Sequence, residues 1–309
     1  MKKQTLVILF IFFSAFCWSQ HYEKVDSIVL RYPKKFSSTL KIANQISSDF
    51  SNDHDKVRAV YTWITNNIIY DPSEFADYAI QYSTEAERDK AENEFRKKLS
   101  SRVLLKSKAV CEGYTTLFAV ICDNLNIKSK IVRGGSKTLV SDIGKPYSSN
   151  HTWNIVVIDN KEYLIDVTWG AGSYEDRFVK KIDYSYFLTD PKQFIKNHYP
   201  DDYQNALLKE KIEKQEFLNA PVIHNFDFEL IYPINGIIKK REAGQIKFKF
   251  LTQKKVNSIL YNIDRKTYII KEFKNNGSLE FVIDLSKLKN GKELILFFDQ
   301  KEIVDFKLE

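Results

Sequence analysis

The segment "HTWNIVVIDNKEYLIDVTWG", residues 151–170, limits the fold more than any other part of the chain. Two runs of alternating apolar and polar residues flank Asp159-Asn160, a pair that tolerates positive φ and suits a two-residue hairpin turn. With that turn Ile158 pairs with Lys161, and counting outward Trp153 lies opposite Asp166. His151 and Asp166 become diagonal neighbours on one face, with Cα atoms about 7–8 Å apart, a gap that an imidazole and a carboxylate close. Trp153, between them, is expected to shield their bond from water. One extra loop residue would turn Asp166 to the other face, so the arrangement hangs on the turn.

A second segment, "KSKAVCEGYTTLFAVICDNL" (residues 106–125), reads as an amphipathic helix with Tyr114, Leu117, Phe118, Ile121 and Leu125 on its apolar face. It carries two cysteines. Cys111 and Cys122 are eleven residues apart, roughly 16 Å along a helix, whereas a disulfide tolerates only about 7 Å between Cα atoms. A metal site is not expected either, because no Cys-x-x-Cys occurs and the five histidines lie far apart in sequence. The two thiols therefore have separate roles. Cys122, among Phe118, Ile121 and Leu125, reads as a small buried hydrophobe.

Cys111 sits where the chain enters the helix, after the strand-favouring Val110. There the helix dipole and the free backbone N–H groups of the first turn lower a thiol's pKa and make thiolate available. The same N–H groups suit a developing oxyanion. Gly113 is expected to leave room for a substrate backbone. A thiolate nucleophile needs a base and the base an orienter; His151 and Asp166 on the hairpin fit those roles. Trp169 either floors a substrate groove or packs under the hairpin.

The rest of the 309 residues is ordinary globular material, 43% apolar and 28% charged. The exception is "MKKQTLVILFIFFSAFCWSQ", with a basic start, an apolar run and Ser19 before Gln20. That is the layout of a cleaved export signal over residues 1–19, and its run is short for a membrane span. Its removal predicts a secreted or periplasmic protein and lowers the net charge from +7 to +5. The basic residues are scattered with no aromatic-interleaved stripe, which argues against nucleic-acid binding. No later segment is apolar enough to cross a bilayer.

Helical periodicity covers residues 21–50, with a break at Pro33, and 53–68; Pro72 ends the latter. Residues 76–100, rich in Glu, Arg and Lys, read as an exposed, partly helical insertion or flap. From Ala220 the pattern turns to short alternating strands with turn signals at Asn235-Gly236, Asn276-Gly277 and Asn290-Gly291, which suits a small β-sandwich. The expected domains are 20–219 and 220–309.

"AVCEGYTTLF", "HTWNIVVIDNKEYLIDVTWGAG", "YFLTDPKQFIKNHYP" and the helix "VRAVYTWITNNIIYD" resemble the transglutaminase-like superfamily, and within it the kyphoscoliosis-peptidase-type branch. The resemblance covers roughly residues 35–220. It implies an α+β, papain-like core in which Cys111 is the nucleophile, His151 its proton partner and Asp166 the orienter. It implies acyl transfer at peptide or side-chain amides through a thioester, without a cofactor, on a protein or peptide substrate. Hydrolysis is the default, since water is the acceptor in an open site. One departure stands out. Members of that branch carry a Gln about a dozen residues before the cysteine, near the oxyanion; an ungapped alignment puts Lys98 there, and the nearest upstream Gln is Gln81. Losing one oxyanion donor costs about 10²–10³ in rate, so a catalytically idle module that binds peptide or cell-wall material is the alternative.

Overall fold

The computed structural model describes residues 22–75, 84–174, 176–240, 244–264, 266–286 and 291–309. The expected export signal and Gln81 lie outside them. Helix α1 spans 22–29, followed by α2 (Thr39–Asp49), capped where the Ser38 hydroxyl accepts from Lys41 N–H, and α3 (Asp53–Asn67), where the Asn52 side chain accepts from Asp55 N–H. Each cap satisfies a donor the helix start leaves open. Pro33 falls between α1 and α2, and its carbonyl accepts from Trp63 Nε1 at 2.9 Å. Asp26 of α1 accepts both forks of Arg58 at 2.9 and 2.7 Å, tying α1 to α3.

Strand β1 (Ile69–Tyr70) precedes α4 (Glu85–Lys106), β2 (Lys108–Ala109) and α5 (Cys111–Asn124). β1 and β2 pair in parallel, Tyr70 opposite Ala109. The described part of the charged stretch is helical and largely exposed up to Lys98, as expected, and α4 continues past it into a docked end. Leu99, Val103 and Leu104 of α4 join the core, and Arg96 pairs with Asp123 of α5 at 2.6 Å. The reason is a narrow stripe: three apolar residues at helical spacing suffice to bury one face while the first turns stay polar.

α5 is the centre of this half. It packs against α2, α3, α4 and β4 (His151–Ile158), so it is buried on nearly every side rather than along one stripe. Tyr114, Leu117, Phe118, Ile121 and Cys122 are all fully enclosed, each large side chain stabilising by about 1.5–3 kcal/mol. The Tyr114 hydroxyl donates to Ile68 C=O at 2.8 Å. Strand β3 (Ser129–Ser136) follows α5. β4 then turns through Asp159-Asn160, φ +50° and +60°, into β5 (Lys161–Ile165), with Ile158 opposite Lys161 and Asn154 opposite Ile165. This is the expected register, carried by the mirror-image turn whose twist matches the strands. β6 (Gly172–Tyr174) and β7 (Phe178–Lys180) form a second small ribbon. Its Lys180 Nζ donates to Thr65 and Ile68 carbonyls at 2.6 and 2.8 Å, capping the end of α3.

By contacts the chain divides into two units: residues up to 132 with 151–189, and 133–150 with 190–309. The division does not follow the composition change at Ala220. In the second unit the loop after β3 binds the stretch that precedes the strands. Lys137, 2% exposed, donates to Phe217 and Ala220 carbonyls, and Tyr147 donates to Asp201 at 2.6 Å. Contacts, not residue type, decide where a unit closes.

The strands of the second unit are β8 (His198–Pro200), β9 (Val222–Ile223), β10 (Glu229–Tyr232), β11 (Ile237–Ile238), β12 (Gln245–Leu251), β13 (Ile259–Ile263), β14 (Lys266–Ile270), β15 (Lys274–Asn275), β16 (Ser278–Asp284), β17 (Glu293–Phe298) and β18 (Lys301–Leu308). Two sheets, ordered β10-β12-β16-β15 and β11-β18-β17-β13-β14 with β9 also on β18, share an aromatic core. Phe248 of β12 meets Phe306 of β18 edge-on at 5.5 Å, and Phe250 meets Phe298 at 5.0 Å. Alternation in "QIKFKF" sends Ile246, Phe248 and Phe250 inward, as a sandwich requires.

Candidate active site

The first unit brings three chain segments to one place. Val110 is the N-cap of α5 and gives no side-chain cap, so Cys111 opens the helix. Its first-turn N–H groups stand at the positive end of the dipole. Two short links fix α5 to β4 behind the cysteine: Asn154 Nδ2 donates to Thr115 C=O at 3.1 Å, and the Thr115 and Thr152 hydroxyls lie 3.2 Å apart.

β4 starts at His151. Its Nε2 lies 2.7 Å from Asp166 Oδ2, with Asp166 fully buried and His151 7% exposed. Asp166 follows directly on β5 and leaves the ladder, its N–H bonding Tyr186 C=O. Its Oδ1 accepts from Thr168 and Trp169 N–H at 2.8 and 3.0 Å. The carboxylate is thus clamped by backbone on one oxygen and presents the other to the imidazole. The same imidazole also hydrogen-bonds the Cys111 thiol.

The electrostatics follow. Burial pushes the Cys111 thiol up, but a hydrogen bond from His151 and its charge, with the Thr152 hydroxyl and N–H, outweigh burial and hold it below the usual thiol range. Burial pushes His151 down, yet the charge and hydrogen bond of Asp166, followed by those of Cys111, raise it overall. Both shifts favour a thiolate–imidazolium pair. Cys122 is the opposite case: enclosed among apolar side chains, its thiol is pushed far up. Both described cysteines are free thiols.

Residues 40–165 match the profile described as the transglutaminase-like superfamily. That stretch belongs to the transglutaminase-like superfamily. Similar curated proteins include kyphoscoliosis peptidase of Mus musculus, 28% identical over 212 residues, covering 67% of this chain and 30% of that protein. The human protein of the same name is 28% identical over 214 residues, covering 68% and 30%. The Lim and transglutaminase domain protein ltd-1 of Caenorhabditis elegans is 24% identical over 245 residues, covering 73% and 31%. The matches therefore span about 30% of the length of these relatives.

The supporting residues surround this transglutaminase-like core. Trp153, fully buried, lies beside the imidazole at 6.2 Å between ring centroids rather than between His151 and Asp166, whose direct bond leaves no room. Trp169, half-buried, stands nearer at 5.6 Å and packs edge-on against Tyr186. Gly113 sits where α5 comes close to its neighbours. A Cβ there would meet Ala109 Cβ at 2.7 Å and Val103 Cγ2 at 3.0 Å, so the glycine lets α5 approach β2 and α4. Lys98 is exposed on α4. His198 is fully buried and stacks on Phe194 at 4.0 Å in the second unit.

Two residues at the site escaped the sequence. Thr152 bonds Cys111 through its hydroxyl and N–H, but strand alternation assigns it to the face opposite His151, which hides it. Tyr70 pairs with Ala109, two residues before Cys111, and touches Tyr174 at 5.7 Å. Burial first, and then the Cys111 charge, push its phenol up. Its only sequence signal is its place just before the Asp71-Pro72 break.

Proposed function

We propose that this chain is a thiol-dependent acyl-transfer enzyme that cleaves peptide or side-chain amides. The observation that carries the reading is a thiol at a helix start, held below its usual pKa by an imidazole that a fully buried carboxylate orients at 2.7 Å. The Cys111 thiolate attacks the amide carbonyl carbon, and the carbonyl electron pair moves to oxygen, facing the N–H groups that open α5. His151 imidazolium passes its proton to the leaving amine as the C–N bond breaks, which leaves a thioester. Neutral His151 then takes a proton from water as it adds to the thioester, the acyl C–S bond breaks, and the acid product leaves with the Cys111 thiolate and His151 imidazolium restored. Asp166 keeps the ring in position throughout. Water as acceptor makes the reaction hydrolysis; an incoming amine would make it a crosslink.

We further propose that the chain is exported, because the layout of residues 1–19 fits a cleaved signal. The test of the enzyme reading is labelling with an electrophilic peptide probe. Wild type is expected to take one label at Cys111, Cys111→Ala none, and His151→Ala to label far more slowly. Full-rate labelling of His151→Ala would overturn the assignment of the base. Ligand binding by Cys111→Ala with no loss of biological effect would favour the idle binding module instead.

A further inference from the structure

In the second unit, strand β18 contains one extra residue. Leu296 of β17 pairs with Val304, and the next residue, Phe297, pairs with Glu302, so Ile303 is bulged out of register. In a regular strand residues 302 and 305 would point to opposite faces. The bulge returns them to one face: Glu302 pairs with Phe297 and Asp305 with Ile295, whereas Val304 pairs with the core residue Leu296. Bulges commonly re-aim side chains in this way. β9 supplies the third group. Asp305 pairs with Val222 and Val304 with Ile223, so His224, two residues after Val222, projects on the face of Asp305. Its N–H donates to Ile303 C=O at 2.8 Å, at the bulge itself.

The three side chains converge. His224 Nε2 lies 2.8 Å from Asp305 Oδ2 and 3.2 Å from Glu302 Oε1, and one ligand-type atom of each falls within 4.8 Å of the others. Bonds of about 2.0–2.1 Å to a tetrahedral zinc place ligand atoms roughly 3.3 Å apart. An independent observation separates this group from an ordinary surface ion pair. Asp305 is 4% exposed, and its Oδ1 is buried with no hydrogen-bond partner among the described residues. A buried carboxylate oxygen left without a partner is costly, and a cation beside it removes that cost. One neutral imidazole and two carboxylates also balance a divalent charge.

We propose that His224, Glu302 and Asp305 form a binding site for zinc, three protein ligands that tie β9 to the bulge of β18 and leave a fourth position open. Zinc suits this set because it accepts imidazole nitrogen and carboxylate oxygen together.

The experiment uses the full chain carrying Cys111→Ala, which removes the reactive thiol as a competing ligand, after treatment with a chelator and dialysis. Zinc chloride is titrated in by calorimetry, and melting is followed with and without zinc. The expected result is one zinc equivalent that disappears, or weakens about 100-fold, in His224→Ala and in Glu302→Gln, together with loss of the zinc-dependent rise in melting temperature. Comparing the metal-free melting curves separates loss of the site from loss of the fold. Unchanged zinc stoichiometry and affinity in both variants would overturn the proposal. So would a parent chain that binds no zinc, in which case the triad is only an ion pair and Glu302→Gln lowers metal-free melting alone.

Discussion

Asp166 divides its two oxygens between backbone and imidazole. Oδ1 accepts from Thr168 and Trp169 N–H, and Oδ2 sits 2.7 Å from His151 Nε2. Replacing it with Asn keeps the shape but offers an amide where a second acceptor or the imidazole proton is expected. Asp166→Asn is predicted to lower turnover by about 10²–10⁴ with a small change in melting temperature. Kinetics on a cleavable peptide ester, read beside a melting curve, checks both halves.

Alkylation of Cys111 reports its ionisation directly. Because His151 and Thr152 hold the thiol below its usual range, the rate against pH is expected to inflect below roughly 8.5, the value of a free cysteine. Removing the imidazole leaves burial without its compensation, so His151→Ala should move the inflection upward and slow labelling at neutral pH. For turnover the same signs apply: the acid limb belongs to Cys111, and the alkaline limb, set by the raised His151, lies above the ordinary histidine value of about 6.5. An alkaline limb at or below that value would contradict the thiolate–imidazolium pair.

Gly170 follows Trp169 and meets Tyr61, whose hydroxyl would lie 1.9 Å from an added Cβ. Tyr61 is fully buried and donates to Asp183 C=O, so neither side gives way easily. Gly170→Ala is expected to destabilise the chain by about 1–3 kcal/mol through overpacking and to disturb the turn that holds Asp166. Urea midpoints of wild type and variant measure the first effect.

The second unit rests on its aromatic core. Phe248 is fully enclosed and touches Phe281 and Phe306. Phe248→Ala is expected to cost about 3–5 kcal/mol, whereas Lys247→Ala on the same strand, paired with Glu280 at the surface, should cost less than about 1 kcal/mol. Equal losses would place the sandwich core elsewhere.

Much of the site's geometry was legible because local rules and packing agreed. The Asp159-Asn160 turn set the register, and the register set His151 and Asp166 on one face. The start of α5 was readable from Val110 and the apolar run after Cys111. What stayed hidden came from contacts that no local pattern encodes. Thr152 reaches the thiol from the end of a strand, where alternation no longer separates the faces. Tyr70 arrives through a two-residue parallel ladder too short to have a period. α4 looked polar because its charged first turns outnumber Leu99, Val103 and Leu104. His224 and the Glu302–Asp305 pair are far apart in sequence and share a face only through a bulge, which spacing arguments do not anticipate.

The division into two units has a bearing on how such a chain can change over time. The backbone passes from one unit to the other at 132/133, 150/151 and 189/190. A block exchange at the composition boundary near Ala220 would carry off the strands but leave behind the loop that supplies Lys137. Its ammonium would then lose the Ala220 carbonyl it binds. Recombination that treats the C-terminal strands as a detachable cassette therefore breaks an internal anchor, and inheritance of the two parts is coupled.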